Sequence, residues 1–215
     1  MPRYRTIHFS ILFLLLTSSG VFGDEPDTSI DHDRTESILL RIKEASSEIV
    51  TLTGDFVQKK KIEILKDMPD SKGKLYYKKP DCLRWEVIEP VNMGFVVNGK
   101  QGKKWRGESG KPRRFDVRKE PIIGVISNQV FAWAEGDFDN LKAGYEIILM
   151  NEEPVEIKLL PLSSMEKKYI ESIILTFSET ENYVERIEIN EKKGGCTQIV
   201  FDNMVINASL DEDIF

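Results

Sequence analysis

Cysteine and histidine, the residues of most zinc centres and many nucleophile-base pairs, are almost absent here: the 215-residue chain holds two of each. The histidines are His8, near the amino terminus, and His32, in the polar stretch DEPDTSIDHDR. A Cys/His zinc site is therefore excluded. Ser-His-Asp or Cys-His catalysis would require His32 to fold back onto the domain from a loose leader. No apolar run after the amino-terminal one approaches membrane length. Positive charge is not in excess either, with 30 Lys and Arg against 36 Asp and Glu and a net charge of −6, which argues against general nucleic-acid binding. Carboxylates are plentiful, as in Glu152-Glu153 and Asp211-Glu212-Asp213, but they fall in turn-like or terminal runs, so nothing supports a glycosidase pair across a cleft. The chain reads as a protein that is not an enzyme and carries no cofactor or metal.

What is present begins with an export signal. Arg3 and Arg5 precede the apolar run that starts at Ile7 and continues through Ile11 to Leu16, and Val21 and Gly23 stand three and one before Asp24. This pattern predicts a cleaved signal peptide over 1–23 and a periplasmic location, with no lipid-accepting cysteine at the new terminus. A flexible leader over 24–33 and one domain over 34–215 follow. Cleavage moves the net charge to −8, because Arg3 and Arg5 leave with the signal. An exported chain permits a Cys82–Cys196 disulfide, and two separate thiols suit the sequence equally.

A helix is predicted from Arg34 to about Val50, on the spacing of Ile38, Leu39, Ile42, Ala45 and Ile49, with Asp33 and Glu36 in the arrangement of a capping box. The period then changes. LTGDFVQ, GKLYYKK, CLRWEVIE, GFVVNGK, KKWRGE, RRFDVRK, YEIILM, VEIKLLPL, IESIILTFSE, YVERIEIN and CTQIVFDNMVIN read as up to eleven short strands. Leu83, Trp85 and Val87 alternate with Arg84 and Glu86, and Ile187 and Ile189 with Arg186 and Glu188, which gives a sheet with one wet and one apolar face. The apolar face needs a cover. PIIGVISNQVFAWAEGDFDNLKAG supplies one: Ile122, Ile123, Ile126, Val130 and Trp133 form a helical stripe between Pro121 and Gly136. The first helix and this segment together would close one face of a curved antiparallel sheet.

Three short motifs invite a functional reading. GESGK, from Gly107, has the wrong spacing for a phosphate loop and Pro112 where Ser or Thr would bind magnesium, so it is a hairpin turn. Lys100, Lys103, Lys104, Arg106, Lys111, Arg113 and Arg114 cluster around Trp105, either as a charged sheet edge or as a patch for anionic headgroups or an acidic partner. Asn207-Ala208-Ser209 matches a glycosylation acceptor, a match that arises often by chance.

The order of these elements resembles the LolA-type outer-membrane lipoprotein carriers. The resemblance runs from about Glu36 to Asn207 and rests on LTGDFVQ after the first helix, GKLYYKKPDCLRWEVIEP followed by FVVNGK, the apolar middle segment, and GGCTQIVFDNMVINASL. It implies a mainly β (α+β) fold, an incomplete antiparallel barrel whose apolar concave face is lidded by helices. It also implies a monomeric carrier that takes acylated lipoproteins from an inner-membrane ABC transporter complex, shelters their acyl chains, and passes them to an outer-membrane acceptor lipoprotein. Candidate cargo-facing side chains are Phe56, Leu75, Tyr77, Leu83, Trp85, Phe95, Val97 and Trp105 on strands, with Ile122, Ile126, Val130 and Trp133 on the cover. The resemblance places a lid latch at Lys79, where the family has an arginine; lysine offers a point charge instead of a planar fork. The chain stops at NASLDEDIF, whereas many family members continue into a Pro-containing segment associated with directional delivery. A shuttle for another envelope molecule, a glycolipid or pigment, and a lipid-sensing regulatory protein are the alternatives.

Overall fold

A computed structural model describes residues 28–61, 69–107 and 111–215, with the side chains of 28–32 and 121–122 left out. The expected signal peptide, the middle of GESGK and the side chain of Ile122 lie outside the described residues. Helix α1 (Thr28–Ser46) is followed by β1 (Thr51–Lys61), β2 (Ser71–Lys78), β3 (Cys82–Glu89), β4 (Met93–Asn98), β5 (Gln101–Arg106) and β6 (Arg113–Asp116). Helices α2 (Pro121–Glu135) and α3 (Phe138–Gly144) come next, then β7 (Tyr145–Glu152), β8 (Val155–Pro161), β9 (Ile170–Phe177), β10 (Val184–Glu191) and β11 (Cys196–Ile206).

The strands form one antiparallel sheet in the order β6-β5-β4-β3-β2-β1-β11-β10-β9-β8-β7. The sheet is a half-barrel: β6 and β7 remain as edges at its two ends. Two meanders, β1 to β6 and β7 to β11, are joined where β1 pairs with β11, in the register Phe56 opposite Phe201. Antiparallel hairpins permit such short connections, and the one long crossing between the meanders carries α2 and α3. Edge strand β6 exposes Arg113 and Arg114, charges that discourage pairing with another chain.

Registers from strand to strand put one set of side chains on a single face. Leu75 lies opposite Trp85 and Tyr77 opposite Leu83; Trp85 in turn opposes Phe95, and Leu83 opposes Val97. Across the junction Ile187 meets Ile199 and Leu175, and Ile157 meets Leu175. All but Tyr77 join a buried cluster with Ile38, Leu39 and Ile42 of α1 and Val130 and Trp133 of α2, and Tyr77 packs in a second cluster with Ile49, Leu52 and Ala134 of α2. The helices therefore cover the concave face. Close approach explains one small residue in the wall: Phe56 lies across Gly73, its cross-strand neighbour, where any Cβ would collide with the ring and with the Glu86 carbonyl.

The middle helix starts and stops where Pro121 and Gly136 put it. Proline at the first position gives up a donor that has no partner there anyway. Gly136 ends the helix in the left-handed region at φ 62°, and its missing Cβ leaves room for the backbone of Lys43 on α1. Helix α1 departs from expectation at both ends, running from Thr28 and stopping at Ser46 instead of spanning Arg34 to Val50. Residues 28–33 thus extend the helix, and the Asp33–Glu36 pair is interior to it. Glu36 accepts a 2.7 Å hydrogen bond from Lys142 of α3 instead of capping. At the other end Ser46 and Ser47 turn their hydroxyls back onto the Ile42 and Glu44 carbonyls, which closes the last turn.

Cys82 and Cys196 are free thiols. Cys82 sits beyond Lys78, which pairs with Thr51, while Cys196 pairs with Lys61 at the far end of β1. At the usual strand rise those ends are roughly 30 Å apart, far outside the reach of a disulfide.

Candidate functional site: the covered face of the sheet

The concave face is apolar across nearly its whole width, and α2 is the element whose inward side matches it. At 3.6 residues per turn, Ile123, Ile126, Val130 and Trp133 share that side. Val130 and Trp133 are buried, and Ile123 and Ile126, nearer the amino-terminal end, are only partly so. On the sheet, Trp85 and Met93 are also partly buried against the same cluster. The cover is thus tightest at the carboxyl-terminal half of α2 and looser at the other. Burial of a side chain such as Val130 contributes about 1.5–3 kcal/mol, but this attraction is non-directional, and any apolar occupant replaces it.

Among the described residues, directional ties to the sheet occur at three points along α2. At its start, Lys104 of β5 donates to Glu120 at 2.5 Å. Midway, Gln129 donates to the hydroxyl of Tyr145 on β7 at 2.6 Å. At its end, the Tyr77 hydroxyl of β2 donates to Glu135 at 2.8 Å. Tyr77 is fully buried, with the Phe131 ring 6.0 Å away. Burial first, then the hydrogen bond to Glu135, pushes the Tyr77 phenol well above its ordinary pKa. Tyr145 is raised to about 12, again first by burial and then by the charge of Glu166. Both phenols therefore stay protonated donors through the physiological range. Helix α1 is tied separately: Arg41 grips Glu181 with two nitrogens at 2.6 and 2.5 Å, and Arg34 pairs with Glu152.

Most of the residues expected to meet cargo do face this interior. Phe56, Leu75, Tyr77, Leu83, Phe95, Val97, Val130 and Trp133 are buried in the concave clusters, and Trp85 and Ile126 pack against them. Phe56, Trp85 and Phe201 form an aromatic group, with Phe56 and Trp85 centroids 4.6 Å apart. Trp105 is a correction. It opposes Gly94, whose neighbours Phe95 and Met93 point inward, so Trp105 lies on the convex face. There Arg84 stacks over its ring at 5.1 Å, and its indole N–H donates to Asn92 at 2.7 Å. Lys104, one residue earlier, takes the inward position and leans on Phe115.

Lys79 reaches the end of one covering helix: its ammonium donates at 3.0 Å to the carbonyl of Ser47, just past α1, while its hydrogen bond does not involve α2. The strand residue that holds α2 by a side-chain hydrogen bond on β2 is Tyr77, and sequence reading treated it as cargo-facing only. Tyr77→Phe removes that bond while keeping the ring, and hydrogen bonds to charged acceptors contribute about 1.5–3 kcal/mol. Amide exchange in the last two turns of α2 is expected to accelerate roughly tenfold or more. Unchanged exchange would show that Glu135 is held by other groups.

Two polar atoms inside the cover have no hydrogen-bond partner: the Ser127 hydroxyl and the Trp133 indole nitrogen. A buried donor left unpaired costs about 1–3 kcal/mol, so the closed arrangement is not fully satisfied. Two polar clefts, of about 570 and 460 Å³, both lie on the convex side, lined among others by Arg84, Glu86 and Lys103. Their charged walls suit no acyl chain. Among the described residues no helix is long and apolar enough to cross a membrane.

Comparison with known proteins agrees with this architecture. No curated protein sequence matches the chain. Among solved structures, MucB matches with 13% identity and a TM-score of 0.50 over 84% of this chain and 62% of its own. In the complex of Pseudomonas aeruginosa MucA and MucB the corresponding values are 15%, 0.48, 84% and 59%, so this chain spans about three-fifths of the matched length. A LolA superfamily protein from Nitrosomonas europaea matches at 12% identity and TM-score 0.41, covering 84% of this chain and 96% of that one. The lipoprotein LppX of Mycobacterium tuberculosis matches at 10% and 0.46, covering 82% and 98%. At 13% identity the likeness to MucB speaks for the fold alone. The sequence model of the outer membrane lipoprotein carrier protein LolA matches residues 47–215, most of the chain, and the protein belongs to the LolA family.

Proposed function

We propose that this protein is a periplasmic carrier that shelters the acyl chains of lipoproteins between α2 and the concave face of its sheet during transit from the inner to the outer membrane. One observation carries the reading: a continuous apolar face is covered by a helix whose inward side is apolar and whose polar ties to the sheet are few. Acyl chains entering at the loosely covered end, near Ile123, Ile126, Trp85 and Met93, would exchange one apolar contact for another as α2 lifts. At about 0.8 kcal/mol per buried methylene, they bind strongly without specific polar contacts. Opening need cost only the difference between the covered and filled states. Family membership supports a reading in which an inner-membrane ABC transporter complex loads the carrier and an outer-membrane acceptor lipoprotein receives its cargo, with no bond made or broken on the way.

The test is mass spectrometry of material extracted with the mature protein, joined to release of lipoproteins from inner-membrane vesicles. Acylated lipoprotein in the extract together with release into the soluble fraction is the expected result. A bound glycolipid with no lipoprotein released would transfer the reading to another envelope cargo. An empty protein without release activity would contradict a carrier role and favour a lipid-sensing one.

A further inference from the structure

We propose that the Ser127 hydroxyl and the Trp133 indole N–H are the cargo's polar anchor, donating hydrogen bonds to the carbonyl groups that join acyl chains to their headgroup. The inference rests on the reading that acyl chains enter beneath α2, and it goes further by naming the linkage chemistry recognised there. Ser127 is 1% exposed and Trp133 6%, yet neither polar atom has a partner in the closed molecule. Buried polar atoms are nearly always paired, so two on one side of one helix call for an explanation.

The ordinary explanations fail at each. A serine within a helix commonly satisfies itself on the carbonyl four residues earlier. Buried Ser46 of α1 does so on Ile42, whereas Ser127 makes no such bond. A buried tryptophan generally places its N–H on an acceptor, as Trp105 does on Asn92; Trp133 does not. Each lies three positions from Val130, so the two donors flank that inward residue by about 60° to either side. Trp133 and the Val130 between the two donors both belong to the apolar cluster of the covered face.

What would satisfy these donors is an acceptor that arrives with an apolar ligand and brings no proton of its own. Ester and amide carbonyls at the head of acyl chains have that chemistry. A plain hydrocarbon lacks it, and an ether oxygen is a far weaker acceptor. The same atoms favour exchange, because they are unsatisfied when the lid is closed and empty and satisfied when cargo is present.

The test compares phosphatidylglycerol bearing ester-linked palmitoyl chains with the analogue bearing ether-linked hexadecyl chains, each titrated against the mature protein in detergent. The wild-type protein is expected to bind the ester roughly tenfold more tightly, the scale of one or two net hydrogen bonds. Ser127→Ala and Trp133→Phe each narrow that preference and their combination removes it, read as the ester-to-ether ratio within each variant, since Trp133→Phe also trims apolar contact with both lipids. Ser127→Ala also melts no lower than wild type, since it deletes an unpaired group. Equal binding of ester and ether by the wild type, or a preference that survives both substitutions, overturns the anchor while leaving the carrier reading intact. Failure of both lipids to bind overturns the carrier reading and the anchor with it.

Discussion

Trp133→Ala is expected to free α2 while leaving the sheet folded. Truncating a buried tryptophan costs about 3–5 kcal/mol, and Trp133 is the largest side chain that α2 commits to the shared cluster. If α2 opens as a unit, that loss falls first on the opening equilibrium of the helix. At 1.4 kcal/mol per tenfold, α2 amides should exchange more than about a hundredfold faster, and retention of bound lipid should fall with them. Protection in β8, β9 and β10 should change far less, because Ile157, Leu175 and Ile187 also pair with one another across strands held by the backbone ladder. Hydrogen exchange followed by mass spectrometry separates the alternatives. Equal loss of protection in helix and sheet would make Trp133 a plain core residue and α2 no lid.

Phe56→Ala should do the opposite. Phe56 is 1% exposed on β1, the strand that joins the two meanders, and it meets Trp85, Phe201 and the Cα of Gly73 together. Removing the ring opens a cavity at that junction and uncovers Gly73, against which the ring packs. The expected cost is again about 3–5 kcal/mol, but here it is felt by the whole domain. A domain of this size loses roughly 2–4 °C per kcal/mol, so the melting midpoint should fall by roughly 6–20 °C. A fall of less than about 3 °C would mean that the two meanders do not depend on this junction.

The contrast between these residues also shows what could be read before any coordinates. The strands were legible because alternation is local: CLRWEVIE coincides with β3, and Pro121 and Gly136 bound α2 by backbone chemistry that needs no partner. Faces were less secure. In KKWRGE a single aromatic stands among cations, and placing it inward is the natural choice from composition. The pairing of Gly94 with Trp105 reverses it, and pairing is a relation between strands that neither strand encodes alone. Reading Arg84 and Trp105 together, both outward on the two strands that flank β4, would have been the signal.

Long-range polar ties were the least legible. Alternation with Leu75 turns Tyr77 inward and Tyr76 outward, but nothing within GKLYYKK says that the Tyr77 hydroxyl reaches Glu135, since that partner lies 58 positions away on another element. The resemblance drew attention to Lys79, and the point charge there settles on the nearest carbonyl, that of Ser47. The acid pattern at Asp33 and Glu36 suggested a helix start, but acids at that spacing suit a helix interior equally well when a lysine such as Lys142 stands opposite. The unpaired Ser127 and Trp133 were visible only once burial was known.

Photocrosslinking tests most directly whether cargo lies beneath α2. A diacyl lipid carrying a diazirine along its chain is loaded onto the mature protein, irradiated, and the adducts are located by peptide mass spectrometry. Adducts on Leu83, Trp85, Ile126 and Val130, with none on Arg84 or Trp105 across the sheet, are the predicted result. Adducts confined to the convex side, around Trp105 and the cleft beside Arg84, would contradict the account.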